Sequence, residues 1–377
     1  MLTRIRPLLL PVGLVVLALT IFNLRISREM VDFEVYRTAG SRAVAAQPLY
    51  QVSDGHYTFK YLPTFAVAMA PMAVLGHDAA RVTWFALSCA FLVILLRWSA
   101  VILPARRWSI RTLIIVALVL LAKFYAHELT LGQSNLLLAV LLMAGLGALQ
   151  IDSPKLAAVC VGLAIFVKPY ALILLPWLVM SHGVVVGVIG VVTILIGLLL
   201  PVVLYGWAGN LEQLAGWWHI VSSSTAPNLI GADNISLAAM WAKWIGPGPL
   251  AAGLAVATIL LLLAVAAAVW MQRRGLDEPD YLEFSLLLLL IPLISPQGWD
   301  YVLVLATPAV MLIADRWREL RTPWRWASGT ALVLMGFSLF DLMGRAAYGR
   351  FMALSLITVC AIVIAATLAQ IRLRRLA

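Results

Sequence analysis

The stretch MVDFEVYRTAG, residues 30–40, sets two acids and a tyrosine directly after a long apolar run. Asp32 and Tyr36 stand four apart and share one side of a helix, while Glu34 and Arg37 stand three apart and can pair. A carboxylate so placed can take a proton from a hydroxyl, which is the work of a general base. It can equally be a first-turn acid that complements the helix dipole, and spacing alone does not separate the two. A second unusual residue is Lys168 in FVKPY, residues 166–170, where it interrupts an apolar hairpin next to Pro169. A charge at such depth is costly and commonly faces a cavity or an anionic partner. The simplest partner is a phosphate, which a lysine meets as a point charge.

The other candidates are weaker one by one. In FKYLP, Lys60 and Tyr61 stand where the chain returns to an apolar run, and a snorkelling lysine beside an interfacial tyrosine would look the same. HELTLGQSN joins two apolar runs with His127, Glu128, Gln133 and Asn135, although Ser134 or Asn135 can simply cap the next helix. GADNISL offers Asp233 and Asn234, and ISPQGWDY offers Gln297, Trp299 and Asp300. Trp217, Trp218 and His219 fit an interfacial aromatic belt. The histidines are scattered without an H-x-x-x-H pair, and no P-loop, G-x-S-x-G or dinucleotide fingerprint is present. Neither a metal nor a cofactor is expected.

The elements that must position these residues are membrane helices. The chain is 63% hydrophobic and 12% charged over 377 residues. Runs of about 20 apolar residues, the length that crosses a roughly 30 Å hydrocarbon layer, recur throughout. We expect spans near 8–24, 79–103, 110–127, 134–150, 155–167, 169–181, 183–205, 248–270, 281–294, 300–314, 326–341 and 351–371. The pair 155–167 and 169–181 is too short for two full crossings and reads as one broken hairpin with Lys168-Pro169 at its tip. The proline-interrupted stretch 61–76 reads as interfacial. The first run has a basic head and no small-residue cleavage pattern, so it reads as an uncleaved helix. The net charge of +10 comes from short clusters such as ARRWSIR, QRRG and DRWRELRTPWR between apolar runs, the pattern of cytoplasmic loops rather than of a nucleic-acid surface. Loops 25–60 and 206–247 then fall outside, and most of the candidate residues lie on that side. After Asp32, the residues Val35, Ala39, Ala43 and Ala46 recur at helical spacing, predicting an amphipathic helix on the outer membrane face. Cys89, Cys160 and Cys360 fall inside apolar runs and read as packing residues. One integral membrane domain, 1–377, is expected.

In this order along the chain, DFEVYRTAG, PLY, FKYLPTFAVAMAPMAVL, GQSNLLLAVLL, GLAIFVKPYALIL, NISL and SPQGWDYVLVL resemble glycosyltransferase family 87 over roughly residues 10–320. The resemblance implies an all-α polytopic GT-C fold of about twelve membrane helices, some short or broken, with amphipathic helices in the first outer loop. It also implies a polyprenyl-phosphate-sugar donor, mannose in the best-known members, and a glycolipid or polysaccharide acceptor. In that family the aspartate opening the first outer-loop helix is the proposed base, and it matches Asp32. Lys168 and Lys60 are then donor-phosphate contacts. Tyr36, Arg37, Tyr61, His127, Glu128, Gln133, Asn135, Asn234, Gln297, Trp299 and Asp300 are candidates for the substrate pocket. Two departures stand out: Leu62 replaces the first of two prolines common in relatives, and Asp300-Tyr301 follows Gly298-Trp299 where relatives carry a histidine.

A sugar phosphate already has a good leaving group, so one base and one cation would suffice for an inverting transfer on the extracytoplasmic face of the inner membrane. A carrier for a lipid-linked saccharide and an inactive scaffold are the rival readings. The first would favour polar residues near the midplane and repeated halves, neither of which the sequence shows.

Overall fold

The computed structural model describes residues 19–373, so most of the expected first span, 8–24, and the end of the basic tail lie outside the described residues. Among the described residues the chain is helical with no strand, and one isolated antiparallel bridge joins Asn234 to Trp299. In a hydrocarbon layer every backbone group must find its partner within the segment, which leaves helices as the solution for such apolar runs.

Among the described residues four helices are long and apolar enough to cross a membrane: His77–Val101, Ile110–Leu131, Pro249–Met271 and Leu356–Leu373. Two bent pairs would bring the number to six: Val184–Leu199 with Val202–Asn228, bent by 94°, and Thr322–Phe337 with Phe340–Ala353, bent by 105°. Leu260 and Leu261 on Pro249–Met271 stay 60% and 63% exposed, a surface that suits lipid and not water. The protein is therefore a polytopic, membrane-embedded helical protein.

The elements around the candidate residues are, in order, Val31–Val44 (α1), His77–Val101 (α2), Ile110–Leu131 (α3), Asn135–Gln150 (α4), Pro154–Val167 (α5), Leu174–His182 (α6), Val184–Leu199 (α7) and Val202–Asn228 (α8). Glycines fix how α5, α6 and α7 pack. Gly162 meets Thr193 and Gly197 meets the Phe166 ring, so α5 and α7 run parallel. Gly187 meets Val179 and Gly190 meets Leu175, so α6 and α7 run antiparallel. Hence α5 and α6 form a hairpin, and Lys168, in extended conformation (φ −146°, ψ 117°), is at its turn.

Two expectations need adjustment. The stretch 206–247, expected as a long loop, is mostly helical: α8 runs through a kink at Gly206 (φ 67°), and a further helix spans Leu237–Ile245. Only Gly readily takes that positive φ, which lets the chain turn sideways after α7. The interrupted stretch 61–76 contains two short helices, Pro63–Ala68 and Ala70–Val74.

The bundle has two unlike ends. At one, Arg372 and Trp177 reach Glu283 at 2.9 and 2.8 Å, and Arg273 reaches Asp280 at 2.6 Å. Nearby, Asp315 accepts from the backbone N–H groups of Arg107 and Trp108 at 2.7 and 2.8 Å. At the other end the α3–α4 corner and the α5–α6 turn meet α1, and the candidate residues gather there.

Candidate active site

Helix α1 carries Asp32 in its first turn. Phe33, Tyr36, Ala39, Gly40 and Ala43 are buried, and Gly40 lies against the Met69 carbonyl, where any side chain would collide. The helix is thus packed into the protein on one face. Of the expected apolar stripe, Ala39 and Ala43 are buried, Val35 is half-buried, and Ala46 lies beyond the helix end and is exposed.

The α3–α4 corner supplies the centre of the site. Gly132, in left-handed conformation (φ 67°), ends α3 with Phe33 and Met30 packed against it. The next residue, Gln133, is buried and bonded on both sides. Its Oε1 accepts from the Tyr36 hydroxyl at 2.9 Å, and its Nε2 donates to the Tyr301 hydroxyl at 3.1 Å. The hydroxyls of Tyr36 and Tyr61 lie 2.6 Å apart. These partners fix which way the amide points, leaving its N–H side for Tyr301 and for Asp32.

A cavity of about 730 Å³ opens beside this network. It brings together Asp32, Tyr36, Lys60, Tyr61, His127, Gln133, Lys168, Gln297 and Trp299, of which Lys168 belongs to the α5–α6 turn. Its Nζ lies 5.8 Å from the Tyr61 ring and 5.9 Å from the Tyr301 ring, so two aromatic faces flank the ammonium, on which the Glu128 and Asp32 carboxylates also act. Trp217, Trp218, Val221 and Pro296 give the same cavity a broad apolar side.

Five candidates lie elsewhere. Arg37 pairs with Glu34 at 3.3 Å and does not line the cavity. Glu128 is buried behind the wall, accepting from Asn135 Nδ2 at 2.7 Å and from the Leu136 N–H at 2.9 Å. Glu128 and Asn135 therefore tie the corner together, because the start of α4 leaves N–H groups that need acceptors. Asn234 is a loop staple: its Nδ2 donates to the carbonyls of Asn228, Leu229 and Pro296, and its Oδ1 accepts from the Ser236 N–H. Asp300 is fully buried, with Lys123 Nζ and His127 Nδ1 each at 3.2 Å. It supports His127 from behind.

Burial raises the Asp32 carboxyl above the usual range, and a hydrogen bond from Gln133 and the charges of Lys168, His127 and Lys60 pull it part of the way back. Burial lowers Lys60, against which Asp32 acts. Tyr36 and Tyr61 are pushed up, chiefly by burial, so their hydroxyls stay protonated. The wall thus offers one carboxylate that can accept a proton, neutral hydroxyls that cannot readily lose one, and cations that can face an anion.

Sequence reasoning missed Lys123, Tyr170 and the cavity position of Asp233. Lys123 had a local signal: it stands four residues before His127 within an apolar run, on the same helix face. Among the described residues no group of three His, Cys, Asp or Glu side chains could hold a metal ion.

A membrane-embedded helical protein thus carries, at one end of its bundle, a cavity that joins a few polar side chains to a broad apolar side. The family model for glycosyltransferase family 87 matches residues 59–296, more than half of the chain. The chain belongs to that family and is a glycosyltransferase. No match was found among curated proteins or among solved structures. Lys60, Gln133 and Lys168 lie inside the matched stretch, and Asp32 lies before it.

Proposed function

We propose that the protein transfers a hexose, mannose in the first instance, from a polyprenyl-phosphate donor to a lipid or glycan acceptor, with inversion and with Asp32 as base. The observation that carries this reading is that Asp32 and Lys168, 136 positions apart in sequence, face one cavity with a hydroxyl-rich wall on one side and an apolar wall on the other. The acceptor hydroxyl attacks C1 of the sugar and gives its proton to Asp32. The C1–O bond to phosphate breaks, and its electron pair stays on the phosphate oxygen, facing Lys168 and Lys60. The sugar carbon passes through an oxocarbenium-like state, as in glycoside hydrolysis. A single displacement with a single base inverts the anomeric centre.

The same reading includes a GT-C-type architecture of about twelve crossings, several of them short, with the cavity on the extracytoplasmic side of the inner membrane. The arginine-rich opposite end supports that orientation. The gathering of polar residues at one end argues against a carrier, which needs its site near the midplane.

The test is transfer of radiolabelled sugar from polyprenyl-phosphate-mannose by purified protein, wild type beside Asp32→Asn, with host lipids and glycans as acceptor. Loss of a general base costs about 10²- to 10⁴-fold in rate. Equal transfer by both proteins would discard Asp32 as base. No transfer from any polyprenyl-phosphate sugar would discard the donor class.

A further inference from the structure

A second recess adjoins the reaction cavity on the other side of α1. It measures about 330 Å³ and shares Val31, Val35 and Tyr57 with the larger cavity. Val31 and Val35 flank Asp32 along the helix, so a molecule whose hydroxyl reaches Asp32 would pass over them into this space.

The chemistry of its wall differs sharply from that of the main cavity. Glu34, Arg42, Asp54 and Arg81 line it, together with Thr38. They are paired: Arg42 grips Asp54 through both terminal nitrogens at 2.5 and 2.7 Å, and Arg81 Nε donates to Glu34 at 2.7 Å. Two carboxylates line the recess with two guanidiniums, and Arg37 and His77 also reach Glu34 from beside it, at 3.3 and 3.1 Å. Arg42 and Arg81 each donate to one further carbonyl, of Leu49 and Ser27, and with five donors to a guanidinium and about four acceptor sites to a carboxylate some capacity remains. Donors and acceptors side by side match a polyol, whose hydroxyls do both. Tyr57, about half exposed, presents an aromatic surface at the mouth shared by both spaces. The C–H face of a pyranose can lie against such a ring. A prenyl or acyl chain would strand these ion pairs without water, so the recess does not suit a lipid tail.

We infer that this recess is an acceptor subsite: it holds the second sugar of a glycan acceptor whose terminal hydroxyl lies at Asp32. The acceptor is then a saccharide of at least two units, and its reducing end or lipid portion lies beyond the recess. This rests on the glycosyl-transfer reading for its direction, but binding of a disaccharide can be measured without turnover.

The experiment uses the purified full chain in detergent. Mannobiose, cellobiose and maltose are titrated by calorimetry beside the corresponding methyl monosaccharides. At least one disaccharide binds about tenfold tighter than its monosaccharide, a difference of about 1.4 kcal/mol. Thr38→Trp fills the recess from an exposed position, and Tyr57→Ala removes the aromatic surface. Each reduces the preference to near unity while the thermal midpoint shows that the variant is folded. Equal binding of all pairs by the wild type, or a preference that survives both substitutions, overturns the subsite. Transfer from polyprenyl-phosphate-mannose is followed in the same preparations. Absence of transfer with the disaccharide preference intact would sink the glycosyl-donor reading and leave the subsite standing.

Discussion

Replacing Gln133 by Met tests the electrostatics of the site at its hub. Met has nearly the same length and flexibility and fills the space, but it can neither donate to Asp32 nor accept from Tyr36. The hydrogen bond from Gln133 is the largest influence holding the Asp32 pKa down against burial, ahead of Lys168, His127 and Lys60. A hydrogen bond to a charged group contributes about 1.5–3 kcal/mol. Its loss leaves burial less opposed and raises the Asp32 pKa further. A base works in its ionised form, so activity rises as pH passes upward through its pKa. The acid limb of kcat/KM against pH therefore moves up in Gln133→Met. At a pH on that limb the variant is about ten- to hundredfold slower, and on the plateau above it the difference shrinks. The profile is measured with saturating donor and limiting acceptor, after a thermal scan confirms folding, because Tyr36 and Tyr301 each lose a partner. An acid limb at the same pH in both proteins, or one displaced downward, would refute the assignment of Asp32 as the titrating base.

Three further outcomes follow from the geometry. Lys168→Ala removes the cation held between Tyr61 and Tyr301, and should weaken donor binding or slow phosphate departure; unchanged turnover and donor KM would take Lys168 out of the mechanism. Asp300→Asn leaves Lys123 and His127 without their buried counter-charge, a change worth about 3–5 kcal/mol when one partner of a buried pair is lost, and it should lower the thermal midpoint by several degrees; an unshifted midpoint would show that Asp300 is not their support. Gly298→Ala would push a Cβ into the Pro292 carbonyl and disturb the loop that carries Trp299, so both stability and transfer should fall, and a fully active, equally stable variant would count against the packing described.

Features of the site that depend on local chain chemistry were legible in the sequence. Lys168-Pro169 announced a break in an apolar hairpin because a proline cannot continue the hydrogen-bond ladder and a buried charge needs a reason. The α1 helix was legible from the spacing of its acids and small residues. What could not be read was which polar residues face the cavity and which fasten the walls. Gln133 and Asn135 stand two apart in one corner, yet one lines the cavity and the other binds Glu128, since Gln133 lies in the turn between the helices and Asn135 already begins α4. Asn234 and Asp300 looked like pocket residues because a polar side chain at a helix junction looks the same whether it binds a ligand or a neighbouring backbone. Lys123 was hidden for a different reason: its partner Asp300 is far away in sequence, and only the fold brings them to 3.2 Å.

The charge balance of the cavity gives the proposed reaction its direction. Asp32, Lys60 and Lys168 line the hydroxyl-rich side together, so two basic groups face one acidic group there. His127 and Asp233 face each other's fields across the remaining wall. A sugar linked to a prenol through phosphate is a diester with one negative charge, which those basic groups can meet. As the sugar leaves, the phosphate becomes a monoester with a charge of about −1.5 to −2. In the same step Asp32 takes the acceptor's proton and becomes neutral, so the wall shifts by one positive charge while the phosphate gains up to one negative charge. Moving the proton onto Asp32 thus strengthens the field on the departing phosphate when that phosphate needs it, without a second titrating group. The tyrosines around Asp32 fit this scheme because they stay protonated and add hydrogen bonds but no charge.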